Sequence, residues 1–202
     1  FCEKVVGAGW PAAAIVVPLF FNIYSSRVFE PDKISLLRSI ALVISLAWII
    51  KWVEGGVRFD KERFFSFLRF PLVMPALALA GVYILTTATS IVPRISLWGS
   101  YQRLQGTYTT LSYLAIFLLI LLNLRTRRQL DRLVTVIVFT SLPIALYGVV
   151  QHFKLDPLPW AGDVTFRVAS TMGNSIFVAA YLIMVVPLTL GRFLDSLQSS
   201  SG

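Results

Sequence analysis

Of 202 residues, 56% are hydrophobic and only 14% are charged, with a mean hydropathy of +0.76. That leaves too little polar surface for a soluble domain of this length, so the chain reads as an integral membrane protein. The net charge of +8 comes from clusters flanking the apolar runs and not from one continuous basic face, which excludes nucleic acid as the expected partner.

Six apolar runs follow in order, at residues 5–24, 34–53, 70–92, 107–124, 133–150 and 176–193. Each is close to the roughly 20 residues that a helical membrane span needs, so the sequence predicts an all-α protein with six transmembrane helices. The first run is too long for a signal-peptide core and lacks a small-residue cleavage pattern after it, so it is expected to be a retained span. Pro18, Pro75, Pro143 and Pro187 fall inside these runs, where neighbouring helices can satisfy the carbonyls that proline frees. Residues 1–202 are expected to form a single polytopic membrane domain. The opening at Phe1 and the tail Ser199-Ser200-Ser201-Gly202 suggest a piece of a longer protein.

Orientation follows from the basic residues. The gap between runs two and three carries Lys51, Arg58, Lys61, Arg63 and Arg69, and the gap between runs four and five carries Arg125, Arg127, Arg128 and Arg132. The other gaps are poorer, with Arg27 and Lys33, then Arg94 and Arg103, then Lys154 and Arg167. Positive loops stay in the cytoplasm, which predicts cytoplasmic termini, in agreement with Lys4 and Arg192, and an inner-membrane, multi-pass protein. Residues 57–69 interleave Phe59, Phe64, Phe65, Phe67 and Leu68 with basic residues after Gly55-Gly56, the pattern of an amphipathic helix lying on the inner leaflet.

With this orientation, helices two, four and six begin at the outer face, where each presents unpaired N–H groups and the positive end of its dipole. Lys33 and Arg38, then Arg94 and Arg103, then Arg167 stand at or before those starts. Guanidinium forks beside helix N-termini suit a phosphate or diphosphate. Snorkelling to lipid headgroups is the alternative for each basic residue taken singly. Arg38 stands apart, because it lies inside an apolar run, where an ionisable group is a functional candidate.

The fourth run is introduced by Leu97-Trp98-Gly99-Ser100-Tyr101-Gln102-Arg103-Leu104-Gln105-Gly106-Thr107-Tyr108. Its two glycines would let backbone approach a ligand closely, and Trp98, Tyr101 and Tyr108 could stack on sugar rings or form an interfacial aromatic belt. The outward loop from Gln151 holds His152, Asp156, Trp160, Asp163 and Arg167. His152 is a candidate general base, since imidazoles titrate near neutrality, although a lone interfacial histidine is commonly just hydrogen-bonded. Asp156 and Asp163 are explained by turn formation. Asn174 or Ser175 would cap the last helix, with Gly173 allowing a tight turn before it. One cysteine, Cys2, excludes an internal disulfide or thiolate cluster, and one histidine with few carboxylates makes a metal site unexpected.

Arg167 followed by Ser170-Thr171-Met172-Gly173-Asn174-Ser175-Ile176-Phe177 and Ala179-Ala180-Tyr181-Leu182 resembles the O-antigen ligase and O-antigen polymerase family of membrane glycosyltransferases. Tyr147-Gly148-Val149-Val150-Gln151 and the Trp98-Gly99-Ser100, Arg103 and Gly106 pattern support the resemblance, which covers about the second half of the chain. It implies metal-independent, inverting transfer of a glycan from an undecaprenyl-diphosphate carrier to an acceptor hydroxyl on the periplasmic side, with no cofactor. It also implies a diphosphate-binding role for Arg167. Arg103 and Arg38 join it on the anion argument above, and Trp98, Tyr101, Asn174 and His152 are candidate sugar or loop contacts. Ser175 stands where the family usually has proline. Family members generally have more spans and a large external loop bearing a histidine, so the chain is expected to be the N-terminal part of such an enzyme. The expected partners are the bilayer and a polyprenyl-diphosphate-linked glycan. The alternative is a non-catalytic subunit bound to other membrane proteins.

Overall fold

The computed structural model describes residues 2–22, 30–55, 61–124, 126–158, 160 and 162–200, without the side chains at 61, 63, 64, 199 and 200. Among the basic and aromatic residues counted above, Arg27, Arg58, Phe59 and Arg125 and the side chains of Lys61, Arg63 and Phe64 lie outside the described residues. The protein is all-helical, 78% helix, with no strand among the described residues.

Among the described residues, four helices are long and apolar enough to cross a membrane: α1 (Cys2–Leu19), α2 (Glu30–Glu54), α7 (Arg127–His152) and α8 (Ser175–Ser200). Between them lie α3 (Lys61–Leu68), α4 (Val73–Ala88), α5 (Pro93–Trp98) and α6 (Thr107–Asn123). The apolar helices α4 and α6, expected as spans three and four, have 16 and 17 residues. At 1.5 Å per residue they are about 24 and 26 Å long, short of the roughly 30 Å hydrocarbon core.

Local chemistry sets the boundaries. The predicted run 70–92 stops at Ala88 because Pro93 lacks an N–H and forces Val92 out of the helical region, to φ −128° and ψ 78°. Pro93 then opens α5 at a position where a missing N–H costs nothing. Helix α7 begins at Arg127, ahead of the expected residue 133, because Thr126 and Gln129 form a reciprocal capping box: Thr126 Oγ1 accepts from the Gln129 amide at 3.2 Å, and Gln129 Oε1 accepts from the Thr126 amide at 3.1 Å.

The chain forms two compact units. The first comprises residues 1–13 and 34–125. Its buried cluster is Val6, Ile44, Ala47 and Leu119, with Cys2, Val5, Ile40 and Trp48 packed against it. Gly9 makes this approach possible, because a Cβ there would overlap the Ile44 side chain. Such small-residue contacts are how helices pack where lipid leaves little hydrophobic drive between them. In the same unit α4, α5 and α6 pack on one another. Helix α4 exposes Met74, Leu77, Leu79, Val82, Ile84 and Leu85, an apolar surface that water would not tolerate and lipid would.

The second unit comprises residues 14–33 and 126–202. Here α7 and α8 pack together, with the 3₁₀ turn Ser170–Met172 against both. Arg192 of α8 ties the pair at one end, donating to the Asp131 carbonyl at 2.6 Å and meeting the Asp131 carboxylate at 3.2 Å. Tyr181 OH donates to the Ile137 carbonyl further along.

Candidate functional site

The sequence-predicted residues fall into two groups, one in each unit. In the first unit they gather on the segment joining α5 to α6. Gly99, with φ +84°, caps α5 by donating its N–H to the Ile95 carbonyl at 2.7 Å. The chain then turns tightly, with the amides of Arg103 and Leu104 both donating to the Ser100 carbonyl, and Leu104 takes a positive φ of 51°. A Cβ at Gly99 would overlap the Leu104–Gln105 backbone, and one at Gly106 would overlap Leu97 O and Gly99 N. The close approach expected of these glycines is therefore made by the segment's own two ends.

Arg38 of α2 organises this turn. Although charged, it is 7% exposed. Its Nη2 donates to Trp98 O at 2.8 Å and Leu104 O at 2.6 Å, and Nε and Nη2 both donate to Thr109 Oγ1, at 2.9 and 2.6 Å. Thr109 passes its own proton to Leu104 O at 2.7 Å. The guanidinium also lies 4.8 Å from the Tyr108 ring centre, and Tyr108 meets Trp98 edge-on at 5.4 Å. Nη1 has no hydrogen bond among the described residues, where no carboxylate pairs with Arg38 either. The sequence itself holds no Asp or Glu between Glu62 and Asp131. Arg103 and Tyr101 project from the turn and are exposed, and Trp98 is half exposed. Arg103 makes no side-chain hydrogen bond among the described residues.

In the second unit the loop joining α7 to α8 is built around Asp156 and Gln151. Asp156, expected only to shape a turn, accepts four hydrogen bonds. Its Oδ2 receives Tyr147 OH at 2.8 Å, Trp160 Nε1 at 2.7 Å and Gln151 Nε2 at 3.3 Å, and its Oδ1 receives the Leu158 amide at 3.0 Å. Burial pushes the Asp156 carboxyl up, but those four donors outweigh it and hold its pKa below the ordinary 3.8. Gln151, fully buried in the last turn of α7, uses its other end on Ala169 N at 3.1 Å and Ser170 N at 2.7 Å. The spacing Tyr147–Gln151 places two polar side chains on one face of an apolar helix. That was the legible signal for this pair.

Ser170 has φ +45° and donates its hydroxyl to Ile144 O at 2.6 Å. A non-glycine residue in that region costs roughly 1–3 kcal/mol and persists only where its surroundings hold it. Thr171 Oγ1 donates to Pro18 O at 2.9 Å. Gly173 adopts the left-handed conformation, φ +74°, and Asn174 Oδ1 accepts from the Ile176 amide at 2.9 Å. Asn174, rather than Ser175, is thus the side chain that caps α8.

Lys33, grouped in the sequence with the anion-binding residues, donates to Val17 O at 2.9 Å and Pro18 O at 2.8 Å. It closes the carbonyl end of α1, where a cation is favoured by the helix dipole. His152 is exposed and its Nδ1 lies 2.8 Å from Thr165 O. A carbonyl can only accept, so Nδ1 is the donor in this contact. Asp163 is exposed, and the Thr165 hydroxyl and amide hold its carboxyl below the usual aspartate range. A cavity of about 220 Å³ opens among Lys154, Asp156, Trp160, Asp163 and Thr165. Arg167 itself is exposed and has no hydrogen-bond or ion-pair partner among the described residues. No group of three or more His, Cys, Asp or Glu side chains able to hold a metal gathers among the described residues.

No family model, curated protein or solved structure matches the chain.

Proposed function

We propose that the chain is the membrane-embedded part of a glycosyltransferase of the O-antigen ligase or polymerase type, with Arg167 as a ligand for the diphosphate of an undecaprenyl-diphosphate-linked glycan. The observation that carries this reading is the contrast around Arg167. The segment behind it is anchored by Gln151, Ser170 and Thr171, while the guanidinium itself has no partner among the described residues. A cation held on a fixed backbone with its donors open is suited to an anion.

In the proposed reaction an acceptor hydroxyl attacks the anomeric carbon, the bond from that carbon to the diphosphate oxygen breaks, and the configuration inverts. Negative charge grows on the departing diphosphate, so donors already in place stabilise the transition state more than the ground state. Within the first unit, Arg103 and Arg38 keep the phosphate-binding role expected of them, as a separate part of the proposal. Only Nη1 of Arg38 is left open by its bonds to the turn. Trp98 and Tyr101 would contact sugar. The proposal also includes six spans, with α4 and α6 accommodated by local bilayer thinning, cytoplasmic termini, and residence in the inner membrane.

The test is binding of undecaprenyl-diphosphate-linked glycan to the full-length protein in lipid nanodiscs. Arg167→Ala should weaken binding about tenfold or more, the worth of a charge-assisted hydrogen bond, and Arg167→Lys should fall between. Unchanged affinity in Arg167→Ala would remove the proposed role.

A further inference from the structure

We infer that Gln151 is the positioning residue for the segment that carries Arg167, an inference that rests on the reading of Arg167 given above. The side chain is 0% exposed, and both halves of its amide are committed. The Asp156 carboxylate can only accept, and the amides of Ala169 and Ser170 can only donate, so the orientation of the Gln151 amide is dictated by its neighbours. An apolar side chain of similar size would fill the same space. Only an amide can join the end of α7, the Asp156 turn and the chain at residues 169–170 at once.

The two amides that Gln151 holds are consecutive, and the second belongs to Ser170, whose positive φ is held further by its bond to Ile144 O. Arg167 lies two residues before Ala169, so with both amides bound only Val168 separates it from the anchored chain. The chain of dependence runs from Asp156, with Tyr147 and Trp160 on the same oxygen, through Gln151 to Ala169 and Ser170.

Amide hydrogen exchange of the full-length protein in nanodiscs tests this. In Gln151→Met, exchange at Ala169 and Ser170 should quicken about tenfold or more while residues 140–148 of α7 keep their rates. Unchanged exchange at both positions would overturn the inference. Gln151→Glu supplies a signature that space-filling would not give. At about pH 8 its carboxylate repels Asp156 and the two amides should exchange fast. Near pH 5 a protonated carboxyl regains a donor, and protection relative to wild type at the same pH should return. The charged and titratable groups around that position are Asp156, Tyr147, Lys154 and Asp163. A ratio that does not change with pH would count against the inference.

Carrier binding separates this inference from the one it rests on. If Gln151→Met loosens the segment and weakens undecaprenyl-diphosphate binding as Arg167→Ala does, both stand. If Arg167→Ala abolishes binding while Gln151→Met leaves it intact, Gln151 does not position Arg167. If the segment loosens but neither variant affects binding, the Gln151 geometry stands and the Arg167 reading falls.

Discussion

Arg38 and Thr109 are 71 residues apart in the chain, yet Thr109 Oγ1 receives both Nε and Nη2 of the same guanidinium. A charged side chain inside an apolar helix is therefore bound to the backbone of a distant turn and to the first turn of α6. Burying a guanidinium is tolerable only where hydrogen bonds replace its water.

Arg38→Met should destabilise the first unit by about 2–4 kcal/mol, because Trp98 O loses its guanidinium donor and Leu104 O keeps only the Thr109 hydroxyl and the Gly106 amide. Arg38→Lys should lie between that variant and wild type, since a lysine keeps the charge but cannot span three acceptors with a rigid fork. Thermal unfolding of the protein in nanodiscs measures both. An Arg38→Met protein that melts with wild type would show that the turn does not depend on this residue.

Gly106→Ala should be more damaging than Gly81→Ala. A Cβ at 106 would run into Leu97 O and Gly99 N, which are backbone and cannot rotate away, whereas nothing lies within 4 Å of one at 81. Gly81 sits inside α4, so alanine there should be neutral or stabilising by about 0.5–1 kcal/mol. Gly106→Ala should therefore lower the midpoint of thermal unfolding while Gly81→Ala leaves it unchanged or raises it, and equal midpoints would contradict the close approach of residues 99 and 106.

The Asp156 network sets a pH dependence with a definite sign. Its folded pKa lies below the ordinary 3.8, so its contribution is fully present above the unfolded value and is lost only as the pH falls through the lower, folded one. The loop joining α7 to α8 should keep its structure from neutrality down to about pH 4 and open below that. Trp160 fluorescence, read in a protein whose other tryptophans are replaced by phenylalanine, reports the change. Loosening that begins near pH 6 would contradict the role given to Asp156.

Asn174→Ala removes the side chain that holds the Ile176 amide and should cost about 0.5–2 kcal/mol, while Asn174→Asp should cost much less. Exchange at Ile176 and its neighbours measures the fraying of α8, and equal protection in Asn174→Ala would show that the cap contributes nothing.

Much of this arrangement was readable locally. Apolar runs located the long helices, and Gly173 with Asn174 announced the turn and cap that open α8. The shorter α4 follows from Pro93 and the longer α7 from the Thr126–Gln129 box, both local signals that the weight of hydrophobicity obscured. Partnerships across the chain were not readable. Nothing local to Arg38 points to Trp98 O, Leu104 O or Thr109, and Lys33 looked like an anion ligand until the α1 carbonyls beside it were seen. Gln151 and Asp156 looked like the polar end of a span and a turn former, because their partners lie on segments that only folding brings to them.

The most direct measurement is thiol labelling beside Arg167, which is kept, at the exposed position 166, in a Cys2→Ala, Phe166→Cys protein in intact cells, using a membrane-impermeant maleimide with and without added undecaprenyl diphosphate. Labelling should come from the outer side of the membrane and slow when the carrier is present. Labelling only after the cytoplasmic face is opened, or outer-side labelling that the carrier leaves unchanged, would contradict the reading of Arg167.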